Sequence, residues 1–287
     1  MQRGSQNGSS LLTLGDFGPG SNVTESLEGQ QAMNPPGLNV PMCSEYYSGW
    51  YTYWGQKGAT NTSSAAAAAT LREMLDRGMS VSVYMAHGGT NFGAWAGANV
   101  RDGNDPEDYV PLVTSYDYSA PISEHGRHNI GSDGIDKFLS LRSILVPGGG
   151  AADEPPFIPT KAYGGVQLPW SASLLDNLAA VSGTPLTAAS PLHLEAVDPL
   201  ATFILYSFPS ANLHRAMPST LLLSLSDLRD RGHVLLGARP VGVMLRSSGA
   251  KPLPIPAGPT QPKASVLEVL VENLGRVNFG PFMGGER

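Results

Sequence analysis

A helix-forming run held between two β-prone runs constrains this chain more than any other local pattern. From Ser63 to Asp76 the sequence carries five consecutive alanines, Ala65 to Ala69, and places Leu71, Met74 and Leu75 on one stripe. Thr62 or Ser63 can cap its start, and Gly78 suits the left-handed position past its end. Leu38 to Ser44 reads as a strand before it and Ser80 to Met85 as a strand after it. This alternation of strand, helix and strand is the one that produces parallel βα units. Leu11 to Asp16 reads as the tail of an earlier strand. A second helix is predicted from Gly134 to Leu145, capped by Asp133, with Ile135, Phe138, Leu139, Arg142 and Leu145 on one side. Pro147 and the glycines at 148–150 stop it.

The pattern changes past a Pro-rich stretch, 151–160, that reads as a linker. Thr202–Tyr206, Leu221–Leu225, His233–Leu236, Val241–Leu245 and Val266–Val271 are short, closely spaced and separated by turn residues, the mark of antiparallel β structure. The expected organisation is α/β followed by all-β, with domains at 1–150 and 151–287. Gly and Pro together number 58 of 287 residues, so the protein is loop-rich, while 22 aromatics argue against wholesale disorder.

Charge excludes several classes of partner. A net charge of −6 lacks the basic footprint of a nucleic-acid binder. No apolar run approaches the ~18 residues of a membrane span. Met1 to Ser10 is polar and does not read as a signal peptide, although Asn-x-Ser/Thr triplets begin at Asn7, Asn22 and Asn61. A single cysteine, Cys43, excludes an intrachain disulfide and reads as a packing residue. No His/Cys/Asp/Glu cluster has metal-ligand spacing, so no metal is expected; an organic cofactor is not expected either.

Twelve of the 22 aromatics fall between Glu45 and Tyr118, where even spreading would place about six. Tyr and Trp join a flat apolar face to one polar atom, which suits the C–H faces and hydroxyl rims of sugars and equally suits an aromatic core. Glu45 closes the predicted strand and is followed by Tyr46, Tyr47 and Trp50. A strand-end carboxylate is where (β/α)8 enzymes project catalytic groups, yet position alone fits a solvated glutamate as well. The glycine-rich His87–Gly93 segment lacks both the Gly-x-Ser-x-Gly elbow of esterases and the Lys-Ser/Thr of phosphate loops, leaving a close-packed loop beside the strand.

The segment Pro41-Met-Cys-Ser-Glu-Tyr-Tyr-Ser-Gly-Trp-Tyr-Thr-Tyr-Trp-Gly55 resembles the nucleophile segment of the glycoside hydrolase family 35 β-galactosidases. Ser80 to Gly93, Thr114 to Glu124 and Asp16 to Asn22 are similar to neighbouring segments of that family. Phe203–Tyr206, Asp230-Arg231 and Val271–Gly280 are similar to its β domains. The resemblance runs from about Leu11 to Phe282, and within the family the lysosomal-type acid enzymes look nearest. It implies the last three or so βα units of a (β/α)8 TIM barrel, then a β-sandwich or jelly-roll-like region.

For individual residues the resemblance makes Glu45 the nucleophile of a retaining β-galactosidase. It makes Tyr118 a hydrogen-bonding wall of the galactose subsite, Trp50, Tyr84 and Tyr116 aromatic walls, and Tyr47 their support. It also implies that the Tyr84 phenol donates to Glu45, favouring the ionised carboxylate. The family's acid/base glutamate follows an asparagine on an earlier strand, and no Asn-Glu pair precedes Glu45 here. The expectation is therefore a truncated chain with little or no hydrolytic activity alone. The alternative is a non-catalytic galactose-binding remnant. Both take a galactose-terminated glycan as partner. The resemblance implies a lysosomal, vacuolar or secreted location, and the oligomeric state is open.

Overall fold

The computed structural model describes residues 12–100, 108–146, 148, 159–209, 220–225, 228–246, 251–257, 266–280 and 283. Met1–Ser10, Leu11, most of the 151–160 linker and Phe282 lie outside the described residues. Along the chain come β1 (Gly15–Phe17), α1 (Val23–Met33), β2 (Met42–Tyr47), α2 (Ser64–Asp76) and β3 (Ser80–Tyr84). Four short strands follow: β4 (Gly89–Thr90), β5 (Gly97–Val100), β6 (Tyr109–Pro111) and β7 (Ser115–Tyr116). Next are α3 (Lys137–Leu145), α4 (Leu178–Val181) and α5 (Leu194–Val197). The chain continues as β8 (Phe203–Pro209), β9 (Thr220–Leu223), β10 (Arg231–Leu236) and β11 (Arg239–Leu245), then β12 (Leu253–Pro256), β13 (Val266–Glu272) and β14 (Arg276–Val277).

These elements form two compact units, one of residues 1–91 and 113–162, the other of residues 92–112 and 163–287. In the first, β1, β2 and β3 make a parallel sheet in that order. Phe17, Cys43 and Tyr46 from the sheet pack with Val23 of α1, Ala67, Leu71 and Met74 of α2, and Leu141 and Ile144 of α3. The parallel α/β character read from the strand–helix–strand pattern is therefore present. The described strands do not close into a barrel.

Local boundaries differ from the sequence reading in instructive ways. β2 begins at Met42, so Leu38 to Pro41 precede the strand and Glu45 lies inside it, with Tyr46 and Tyr47 beyond. Met42 pairs only after Gln30, 2% exposed, has satisfied the incoming chain: its amide donates to the Val40 carbonyl and its oxygen accepts from Met42 N at 3.4 Å. β1 is likewise displaced, to Gly15–Phe17. Helix α1 was not expected, because only Val23 and Gln30 of its residues are buried and no apolar stripe marks it. Its one legible signal is Asn22, whose side-chain oxygen accepts from Glu25 N at 3.1 Å.

The second predicted helix starts three residues later than expected and turns a different face inward. Asp136, not Asp133, caps α3 by accepting from Leu139 N at 2.8 Å. Lys137, Leu141 and Ile144 are buried, whereas Ile135, Leu139 and Leu145 are each more than 40% exposed. Asp133 instead serves α2, accepting from Ala65 N at 2.8 Å and Ser63 Oγ at 2.7 Å. Those bonds hold its carboxyl well below the usual range.

In the second unit β11, β10, β13 and β8 form an antiparallel sheet in that order, and β9 pairs with β12. Val234, Met244, Ile255 and Val269 make its core. β12 escaped the sequence reading because Pro254 and Pro256 argue against a strand; a two-stranded edge tolerates them. β14 runs parallel to β5, which pairs antiparallel with β6, and Tyr109 closes this sheet by donating to the Gly275 carbonyl at 2.7 Å. No helix among the described residues is long and apolar enough to cross a membrane.

Candidate active site

The register of β2 is irregular between Cys43 and Tyr46, which lets two residues three apart face the same way. Cys43 and Tyr46 enter the core, where the Tyr46 phenol donates to the Ala67 carbonyl at 2.7 Å. Burial pushes the Cys43 thiol up to about 11, consistent with packing rather than nucleophilic work. Glu45 and Tyr47, two residues apart, share the other face. The Tyr47 phenol donates to Glu45 Oε2 at 3.0 Å. On the neighbouring strand Asp16 accepts from Glu45 N at 2.9 Å and from the Ser44 hydroxyl, fixing the backbone of β2 where its register with β1 and β3 is irregular.

Beside Glu45 the rings of Tyr47, Trp50, Tyr51, Tyr84, Tyr116 and Tyr118 form one connected cluster. Tyr47 meets Trp50 edge-on at 5.6 Å between centroids and Tyr84 at 6.2 Å. Tyr116 and Tyr118 stack at 5.7 Å with planes 8° apart. Tyr51 sits among them, edge-on to Tyr116 at 5.1 Å and to Tyr118 at 5.2 Å. All six residues expected from the sequence, Glu45, Tyr47, Trp50, Tyr84, Tyr116 and Tyr118, thus lie together in the first unit. Tyr51 was missed as a member, although its place in the run Trp50-Tyr51 carried the signal.

One expected bond is replaced. The Tyr84 phenol does not serve Glu45; it shares a 2.6 Å hydrogen bond with the Tyr116 phenol, and Tyr47 takes the place beside the carboxylate. The alternation of β2 explains this, since residue 47 reaches residue 45 along one strand face. Burial raises the phenols of Tyr47, Tyr116 and Tyr118 well above the ordinary range, and that of Tyr51 to about 12, so all stay protonated donors at neutral pH. The charge of Glu45 adds to the rise at Tyr118.

Tyr118 combines three unusual features. It is 3% exposed, its hydroxyl oxygen is buried without a hydrogen-bond partner, and its backbone lies at φ 62°. Ser119 follows at φ 50°. Two adjacent non-glycine residues in the left-handed region must be held there by their surroundings. The Asp117 carboxylate contributes by accepting from Ser119 N, Glu124 N and the Asn129 amide at 3.2, 2.9 and 2.9 Å. Glu124 accepts from the Thr90 and Ser115 hydroxyls, so both carboxylates are bound up within the loop. Among the described residues no group of three or more His, Cys, Asp or Glu side chains is placed to hold a metal ion.

The arrangement offers an ionisable carboxylate with a phenol donor at one side, half-buried rather than sealed, against a wall of rings with one unsatisfied hydroxyl. A ring-shaped ligand with an apolar face and hydroxyl edges matches those elements. The model of glycosyl hydrolases family 35 matches residues 1–145, and that of the β-galactosidase first all-beta domain matches residues 191–287. Beta-galactosidase 8 of Oryza sativa subsp. japonica is 37% identical over 93% of this chain and 40% of its own length. Beta-galactosidase 17 of Arabidopsis thaliana is 34% identical, over 93% of this chain and 38% of its own length. The Beta-galactosidase of Bos taurus is 37% identical, over 94% and 38% respectively. The chain therefore spans about 40% of the length of the relatives it matches.

Proposed function

This chain belongs to glycosyl hydrolases family 35, and from that premise we propose that Glu45 is the nucleophile of a retaining β-galactosidase site acting on galactose-terminated glycans. The single observation that carries the reading is the Glu45 carboxylate receiving the Tyr47 phenol beside the ring wall. In the proposed step a Glu45 carboxylate oxygen bonds to the anomeric carbon while the bond from that carbon to the aglycone oxygen breaks, the electron pair leaving with the oxygen. Tyr47 holds the carboxylate in place for attack. Tyr118 donates its free hydroxyl to the sugar, and Trp50, Tyr51, Tyr84 and Tyr116 enclose the sugar's faces.

In the same reading residues 1–150 are the portion of a (β/α)8 barrel carrying the nucleophile, and residues 151–287, which follow in sequence, are a β-sandwich or jelly-roll-like region. The acid/base carboxyl of such an enzyme belongs to an earlier strand, so this chain alone is proposed to turn over ordinary galactosides poorly. A lysosomal, vacuolar or secreted location accompanies the proposal.

The test avoids the need for an acid. A dinitrophenyl 2-deoxy-2-fluoro-β-galactoside has a leaving group that departs without protonation, and its fluorine slows release of the covalent intermediate. Incubation followed by peptide mass analysis should place one fluorogalactosyl group on Glu45, and Glu45→Gln should abolish it. Labelling at another residue refutes the assignment. Galactose binding by calorimetry without any labelling favours instead the non-catalytic binding reading, for which the unpartnered Tyr118 hydroxyl is the supporting feature.

A further inference from the structure

We propose that Lys137 is a positioning residue for the candidate site: its buried amine clamps the Tyr118–Ser119 turn against the end of β2. Lys137 is fully buried. Its Nζ donates to the Ser119 carbonyl at 2.5 Å, the Ser119 hydroxyl at 2.9 Å, the Thr62 hydroxyl at 2.6 Å and the Ser48 carbonyl at 3.1 Å. No carboxylate is among these partners. Burial pushes the amine down to about 8, against the charges of Asp117 and Asp133, which act on it without a direct bond.

The partners explain what such a group does. Ser48 follows β2 directly, one residue beyond Tyr47, and its own N–H donates to the Tyr84 carbonyl at 3.0 Å. Thr62 precedes the α2 cap and donates to the same Ser48 carbonyl at 3.0 Å. Ser119 carries the second of the two left-handed residues. One amine thus ties together the segments that hold Tyr47, Tyr84 and Tyr118. The turn also rests on Gly49, where an added Cβ would lie 1.6 Å from the Tyr118 carbonyl oxygen. A glycine backbone and a lysine amine hold the turn, and its unfavourable φ values are what the amine's hydrogen bonds oppose. The consequence for sugar binding rests on the proposed galactoside site; the bracing does not.

The experiment uses the full chain with Lys137→Met and the double variant Lys137→Met/Ser119→Gly. Glycine adopts a positive φ freely and so removes part of what the amine must hold. Lys137→Met should keep its far-ultraviolet dichroism, lose most of its near-ultraviolet tyrosine signal, and bind galactose about 10–100-fold more weakly by calorimetry. The added Ser119→Gly should restore much of both signals, which a lysine serving only as core filler would not permit. Unchanged near-ultraviolet signal in Lys137→Met, or no recovery in the double variant, overturns the proposal. Should Lys137→Met fail to fold, Thr62→Val removes one of the amine's acceptors while leaving the lysine, and is read on the same signals: a fall supports the clamp and no change overturns it. If the unaltered chain binds no galactose, the galactoside reading fails while the tyrosine signal still decides the clamp.

Discussion

Gly49→Ala is the sharpest test of how the site is built. The added methyl would lie 1.6 Å from the Tyr118 carbonyl oxygen, 2.8 Å from its carbon and 3.1 Å from the Ser119 carbonyl carbon. These are backbone atoms, so no side-chain rotation relieves the clash. The turn must retreat until the closest contact exceeds 3.0 Å, the limit real Cβ atoms respect. Overpacking a close-packed interior costs about 1–3 kcal/mol. A retreat of that size also distorts the 2.5 Å bond from Lys137 to the Ser119 carbonyl, adding about 1 kcal/mol or more. The expected destabilisation is about 3 kcal/mol. With a urea dependence of about 2 kcal/mol per molar, the midpoint should fall by about 1–2 M. Gly183→Ala is the control, because nothing lies within 4 Å of its added methyl and its backbone is unstrained. Urea unfolding of both variants by circular dichroism decides the matter. Equal midpoints for Gly49→Ala and Gly183→Ala would show that the turn does not rest on residue 49.

Other perturbations address separate links. Tyr47→Phe removes the phenol from Glu45 and should slow fluorogalactoside labelling by roughly 10-fold or more, the worth of one hydrogen bond to a charged acceptor; an unchanged labelling rate would count against the pairing. Asp133→Asn should weaken the start of α2 at neutral pH. Because the folded carboxyl is held below its unfolded value, its contribution is present above the ordinary carboxylate range and is lost as pH falls through and below it. The gap in urea midpoint between the two proteins should therefore shrink from pH 7 to pH 3. Cys43, fully buried with its thiol pushed up to about 11, should resist iodoacetamide at pH 8 in the folded chain and react in urea, as followed by mass.

What the sequence disclosed, and what it withheld, follows from how each feature encodes itself. The Ala-rich α2 and the β-prone runs around it are local signals, and local propensity was enough to place them. Helix α1 is held by a polar anchor, Gln30, which periodicity of apolar residues cannot register. The buried face of α3 was misread because its most deeply buried member is Lys137, and no pattern rule puts a lysine in an interior. The rings of the site were legible as an aromatic excess and, by resemblance, residue by residue. Their partners were less so: Tyr47 rather than Tyr84 faces Glu45 because of strand alternation at a register irregularity, a tertiary detail.

The wall of the site and its support are made of unlike materials. In the proposed galactoside site the rings of Trp50, Tyr51, Tyr84 and Tyr116 face the guest, whereas the turn that carries Tyr118 is gripped by main-chain atoms at Gly49 and by one amine. Replacing a ring alters which guest is admitted and leaves the scaffolding standing. Replacing a grip removes the wall itself, whatever the guest. Redesign of selectivity in that site therefore has a wide palette at the rings and almost none at positions 49 and 137.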